Sequence, residues 1–155
     1  MKDKTIAIYV FIDDFMKEIG HKEQTNRNTS DAEIITTALI SAKYFHGHID
    51  NAINFVKGST LMPHMLSKSR FNRRIHAIYD LIINLFFNLS EVIKRINLSC
   101  EYIIDSFPVP VCENIRIARS RIIKGKQFRG FKASLRKYFY GFTVQVISTA
   151  DGIPV

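Results

Sequence analysis

One aspartate, Asp105, stands where a carboxylate could do chemistry. It ends the short, β-prone run EYIID at residues 101–105, just before the chain turns at Pro108 and Pro110. An ionised side chain is costly in apolar surroundings unless it meets a cation or hydrogen-bond donors. One interpretation is a metal ligand at the end of a central strand. The other is an aspartate that caps the following turn, which is a common role, and the local pattern leaves both open.

A basic segment, residues 114–140, holds the excess charge of the chain. It contains nine Lys or Arg and no Asp or Glu, whereas the remainder has 13 basic and 14 acidic residues within a net charge of +8. Concentrated positive charge favours a polyanion, most often nucleic acid, although a solvated basic surface is the alternative. The candidate phosphate contacts are Arg116, Arg119, Arg121, Lys124, Lys126, Arg129, Lys132, Arg136 and Lys137.

Aromatic residues alternate with these cations. Phe128, Phe131 and Tyr138 could stack on unpaired bases, since every base offers a flat face. Phe139 and Phe142 are more simply interpreted as core residues, and Phe128 fits either role. We expect the cations to contact the DNA backbone and not to read its sequence.

A second basic cluster opens the helix that follows Ser67. Basic side chains in the first turns of a helix oppose its dipole. This conflict is relieved when phosphates lie nearby, as when a recognition helix enters the major groove N-terminus first; a solvated helix face is the alternative. The candidates here are Lys68, Arg70, Arg73 and Arg74.

The elements that must position these residues change character near residue 98. Ser30 and Glu33 have the spacing of a capping box, which predicts a helix N-terminus. Ser67 predicts the start of the longest helix, with an apolar stripe that reaches Phe86, and Ser90 predicts a shorter helix to Ile96. Residues 1–98 are therefore expected to form an all-helical domain.

The second part of the chain has the texture of a sheet. Strands are expected near 101–106 and 138–149, paired antiparallel with Asp105 close to the start of the second strand. Asp151 and Gly152 predict a type I′ turn, with residues 153–155 beginning a returning strand. In that register Asp151 lies at the far end of the second strand, roughly 30 Å from its start.

Composition excludes several classes of protein. The hydrophobic share of 46% argues against disorder. No uninterrupted apolar run approaches the roughly 18 residues of a membrane span, and no signal peptide is evident. Two cysteines are interpreted as free thiols, the histidines lack zinc-site spacing, and no P-loop is present. We therefore expect a cytoplasmic protein with no membrane association.

Five strings of residues resemble the DDE transposases of small bacterial insertion sequences. The string YIIDSFPVPVC at 102–112 is similar to their first catalytic strand. The strings KGKQFRG at 124–130, YFYG at 138–141 and TADGIP at 149–154 follow in the same order, and LSKSRFNRR at 66–74 resembles their N-terminal DNA-binding region. The resemblance covers essentially the whole chain.

The resemblance implies an α+β protein, with a helical DNA-binding domain at 1–98 and the start of a ribonuclease-H-like catalytic domain at 99–155. In such enzymes three acidic residues hold two divalent ions, normally Mg²⁺, for strand cleavage and transfer. Asp105 matches the first acid, as catalytic residue and metal ligand. No segment matches the second or third, so we expect a truncated portion whose active site is incomplete.

Two functions follow from this resemblance. The first is a transposase whose missing acids come from a partner chain; the second is a non-catalytic protein that binds insertion-sequence ends. The partners implied are DNA and either a second copy of the chain or the missing C-terminal half. An unrelated helical interaction domain with a basic tail is the third interpretation.

Overall fold

The computed structural model describes residues 1–98 and 100–155, and for Asn114 and Ile115 it describes the backbone alone. Five helices precede a three-stranded antiparallel sheet, which confirms the α+β class. The chain divides into two compact units, Met1–Phe86 and Phe87–Val155. The helices are α1 (Lys2–Glu18), α2 (Asp31–Phe45), α3 (Ile49–Gly58), α4 (Lys68–Ala77) and α5 (Tyr79–Ile96).

The capping box at the start of α2 is confirmed. The Ser30 hydroxyl accepts a hydrogen bond from the Glu33 N–H at 3.1 Å, and the Glu33 carboxylate accepts one from the Ser30 N–H at 2.7 Å. Two backbone donors that the helix leaves without partners are thus satisfied. The core of the first unit forms behind this start, around Ile34, Val56 and Phe71, all of which are fully buried.

The predicted long helix from Ser67 is wrong, because the helix breaks at Ile78 and restarts at Tyr79. Ile78 has φ −106° and ψ 22°, outside the helical region, and its side chain is buried. The break turns a second apolar stripe toward the same core, so that Phe71 of α4 and Leu85 of α5 are both buried. A straight helix could not follow the curvature of a small core over that length.

The short helix predicted at Ser90 is also wrong, since α5 runs through it. The Ser90 hydroxyl donates a hydrogen bond to the Phe87 carbonyl at 2.9 Å, which a serine inside a helix can do without ending it. No single described helix has the length and apolarity to cross a membrane; α4 and α5 meet the criterion only when taken together, across a bend of 63°.

The sheet has the order β1-β3-β2, with β1 at Tyr102–Glu113, β2 at Arg129–Lys132 and β3 at Lys137–Thr149. Strand β1 continues through Pro108 and Pro110, so the expectation that these prolines end it is wrong. Among the described residues β1 pairs with β3 alone, and it is an edge strand. The backbone nitrogens of residues two apart on a strand point to the same side, so those of both prolines can face the open edge. A missing N–H there breaks no hydrogen bond of the sheet.

This longer strand changes the register around Asp105. Asp105 pairs with Val146, and the start of β3 pairs instead with the end of β1, where Glu113 faces Phe139. The prediction that Asp105 lies near the start of the second strand is therefore wrong. The pairing shifts between Pro110 and Cys112, which is the irregularity of a β-bulge.

The turn after β3 forms as a hairpin. Pro154 forms an isolated β-bridge with Ser148, and the Thr149 N–H donates to the Ile153 carbonyl at 2.9 Å. The chain therefore turns back along β3 as predicted, although residues 153–155 do not form a regular strand. The type I′ turn is wrong, because Gly152 has a positive φ (77°) and Asp151 does not. Three residues form this loop, with glycine in the left-handed position that such loops require.

Candidate nucleic-acid interface

Asp105 is an exposed residue on β1, on the face that also carries Ile103 and Phe107. Its carboxylate accepts a hydrogen bond from the Ser106 N–H at 2.7 Å. Within the described chain it belongs to no group of three side chains that could share a metal ion. The structure thus places Asp105 inside an edge strand, so the prediction that it stands at the end of a central strand is wrong.

Asp151 is nearer to Asp105 than the sequence predicts. Tyr102 pairs with Thr149, so the turn that holds Asp151 lies at the end of β1 closer to Asp105. The three residue steps from Asp105 back to Tyr102 span roughly 10 Å, and Asp151 lies beyond that point. That distance is still too long for ligands of two ions that lie about 4 Å apart.

One group of possible metal ligands was missed at the sequence level, because its members meet only in the folded first unit. Oxygen and nitrogen atoms of His21, Glu23 and Asp31 lie within 4.8 Å of one another. The Asp31 carboxylate is already occupied: Arg74 Nε donates to Oδ1 at 2.7 Å, and His21 Nε2 lies 3.0 Å from Oδ2. A guanidinium in this position repels a metal cation, and the group is an ion-pair network.

The basic cluster on α4 divides into two kinds of residue. Arg74 is mostly buried against Asp31, and Lys68 pairs with Asp50 at 2.5 Å on the surface. Arg70 and Arg73 are exposed, and no carboxylate of the described residues lies within 4.0 Å of either. The structure therefore leaves two of the four predicted contacts on α4 open to a ligand.

The basic segment is almost entirely exposed. Of its nine cations Lys132 alone is half-buried, where it lies 3.9 Å from Glu113 and over the Phe139 ring at 5.7 Å. Arg129 lies over the Tyr138 ring at 4.8 Å. The others have no carboxylate partner among the described residues: Arg116, Arg119, Arg121, Lys124, Lys126, Arg136 and Lys137.

The aromatic residues separate into packed and exposed groups. Phe139 is buried, as predicted, whereas Phe142 is 48% exposed, so its assignment to the core is wrong. Phe128 is half-buried and packs edge-on against Tyr140 and Phe142, with ring centroids 6.2 and 5.4 Å away. Phe131 and Tyr138 contact each other at 5.0 Å and remain about half exposed. This exposed pair beside Arg129 is the one suited to stacking.

The second unit carries most of the net positive charge, although the two units have equal numbers of Lys and Arg. Residues 87–155 contain 11 Lys or Arg and five Asp or Glu, a net charge of +6, compared with +2 for residues 1–86. Such a field raises the local concentration of anions and speeds the approach of a polyanion.

No family model, no curated protein and no solved structure matches this chain.

Proposed function

We propose that this chain is a DNA-binding protein of the DDE transposase type, which holds insertion-sequence ends and does not cut them by itself. One observation carries the proposal: a segment of nine cations in which eight have no carboxylate partner among the described residues. Side chains that neutralise one another contribute little to binding a polyanion, whereas unpaired guanidinium and ammonium groups are free to contact phosphates.

The helical unit supplies a smaller second surface. Arg70 and Arg73 are exposed near the start of α4, so they can contact the backbone of a duplex. Arg74 is left out of this surface because its guanidinium is held by Asp31. Lys68 forms an ion pair with Asp50, so a phosphate would have to compete with the Asp50 carboxylate for its ammonium group.

The resemblance to transposases implies Mg²⁺, and the residues present do not fit a two-ion site. Asp105 belongs to no group of three possible ligands among the described residues, and it is exposed and accepts a hydrogen bond from the next backbone N–H. Mg²⁺ held by a single carboxylate oxygen keeps most of its water. We therefore derive no cleavage step for this chain, and a complete site needs carboxylates beyond those of the described residues.

Salt-dependent DNA binding tests the proposal. Affinity for a duplex is measured by fluorescence anisotropy across a series of salt concentrations. The log of the binding constant should fall linearly with log salt, by nearly one unit for each phosphate neutralised. The triple variant Lys124→Ala, Lys126→Ala, Lys137→Ala should bind more weakly with a flatter slope, because these exposed side chains have no carboxylate partner among the described residues.

A matched control removes the same charge from the first unit. Lys2, Lys4 and Lys57 are exposed, and none of them lies within 4.0 Å of a carboxylate of the described residues. Changing all three to Ala should leave the slope nearly unchanged. Equal losses in both triple variants would show that net charge alone drives binding, and absence of binding at low salt would reject the proposal.

A further inference from the structure

A groove in the second unit gathers three of the unpaired arginines. It has a volume of about 340 Å³ and lies where the end of β1 meets the 3₁₀ turn Asn114–Arg119 and the residues after it. Its lining combines cationic side chains with apolar ones and a thiol: Arg116, Arg119, Arg121, Val111, Ile122 and Cys112.

The charge of this groove calls for an anion. Arg116, Arg119 and Arg121 have no carboxylate within 4.0 Å among the described residues, so three like charges share one concave surface. Like charges held together repel, and an anion between them relieves the repulsion. Guanidinium groups match phosphate in particular, because their planar donors bind two oxygens at once.

The size and the apolar lining narrow the choice of ligand. A groove of about 340 Å³ is at the lower end of the range of small-ligand sites, roughly 300–1,000 Å³. A duplex is instead contacted by convex elements that enter its grooves. Ile122 is 79% exposed, and with Val111 it offers an apolar surface beside the arginines.

We infer that this groove holds one nucleotide of single-stranded DNA, with its phosphate on the three arginines and its sugar and base against Val111 and Ile122. The inference rests on the proposed DNA binding and makes it more specific, since it assigns the unpaired strand to this groove. Duplex DNA is left to the rest of the basic segment and to α4.

The two cysteines provide a direct probe of the groove. Cys112 lines it, whereas Cys100 is an exposed thiol outside its lining. In the Cys100→Ser variant, the alkylation rate of Cys112 is measured without DNA, with an oligothymidylate and with the matching duplex. The oligothymidylate has about eight nucleotides, a length in the range of single-strand sites. The oligothymidylate should slow alkylation of Cys112 and the duplex should not. In the Cys112→Ser variant, the rate at Cys100 should be unchanged by either.

Substitutions at two residues distinguish the phosphate contact from the base contact. Arg119→Gln should weaken oligothymidylate binding by roughly tenfold, the cost of one charge-assisted hydrogen bond, while Arg119→Lys should recover part of it. Ile122→Ser should weaken binding of the oligothymidylate and leave that of an abasic oligomer unchanged. Because both residues are exposed, the circular dichroism spectrum should be retained.

Several outcomes would overturn the inference. Salt-dependent duplex binding, with no protection of Cys112 by the oligothymidylate, would reject the groove and leave the proposed function standing. Equal protection by inorganic phosphate at the same phosphate concentration would show a simple anion site. Equal loss of binding of the abasic and the normal oligomers in Ile122→Ser would show that Ile122 does not contact the base. Failure to bind either form of DNA would reject the groove together with the proposed function.

Discussion

Asp31 and Arg74 form a buried ion pair that ties the first turn of α2 to α4. Arg74 Nε donates to Asp31 Oδ1 at 2.7 Å, and the Asp31 side chain is 2% exposed. His21 contacts the other oxygen of the same carboxylate, while Glu23 accepts a hydrogen bond from the Asp31 N–H at 2.7 Å. The basic helix of the first unit is therefore positioned by one of its own arginines.

Removing one partner of this pair should be strongly destabilising. Arg74→Met removes the closer guanidinium and leaves the buried carboxylate with Arg27 at 3.9 Å. Removing one partner of a buried ion pair typically costs about 3–5 kcal/mol in the free energy of unfolding. Urea unfolding measures the change. The control is Asp50→Asn, which breaks the Lys68 pair at 56% exposure and should cost less than about 1 kcal/mol. Similar losses in the two variants would contradict the assigned role of Asp31.

The exposed arginines of α4 should contribute to duplex binding without a structural role. The variant Arg70→Ala, Arg73→Ala should reduce the log–log salt slope by up to roughly 1.8, since each phosphate contact contributes about 0.9. The urea midpoint should stay close to that of the parent chain, because both side chains are exposed. An unchanged slope would remove α4 from the interface.

The isolated chain should not cleave DNA with Mg²⁺ or Mn²⁺. Neither nucleophile activation nor leaving-group stabilisation is assembled around a single carboxylate. Nicking of supercoiled plasmid is compared for the parent chain and Asp105→Asn, and both should be inactive. Metal-dependent cutting that is lost in Asp105→Asn would show that other acids complete the site, with Glu113 and Asp151 the first to test.

Tyr9 should ionise late in the folded protein. Desolvation of the half-buried ring, together with the nearby Asp13 and Glu33 carboxylates, raises the pKa of Tyr9 above its usual 10.0. Because the folded pKa lies above the unfolded one, its contribution to stability is present below pH 10 and is lost as pH rises through the folded pKa. The difference between the parent and Tyr9→Phe in ultraviolet titration of the phenol band should show this late step; a midpoint at or below 10 would contradict it.

Gly141 should not tolerate a side chain. A Cβ at this position would overlap the Val109 carbonyl oxygen on the neighbouring strand, so the close approach of β1 to β3 requires glycine. Gly141→Ala should cost about 1–3 kcal/mol, as overpacking does. The control is Gly58→Ala at the end of α3, where nothing lies within 4 Å. Urea unfolding that ranks the two variants in the opposite order would contradict this reading of the strand contact.

What the sequence predicts well depends on contacts that are close in the chain. The Ser30–Glu33 capping box and the hairpin at Gly152 follow from neighbours a few residues apart. The break at Ile78 does not follow from such neighbours. The curvature of the core determines where the helix breaks, and each half of the helix keeps a correct local pattern. The His21 contact with Asp31 was equally hidden, since ten residues and a loop separate the two.

At the candidate interface, charge was predictable and geometry was not. The excess of cations at 114–140 is visible in the sequence, and most of these side chains are exposed as expected. Which cations lack partners depends on the fold: Arg74 is held by Asp31 and Lys132 approaches Glu113. The grouping of Arg116, Arg119 and Arg121 around one groove likewise required the path of the chain after β1.

Pro108 and Pro110 reduce the capacity of the open edge of β1 to pair with a further strand, because neither proline has an N–H to donate. A strand from another molecule laid along that side would find no N–H at two alternate positions, and its facing carbonyls would lose their partners at about 1–3 kcal/mol each. Stacking of copies into a continuous fibril through this edge is therefore opposed by the backbone itself. The two prolines therefore make this exposed apolar strand a poorer template for strand addition.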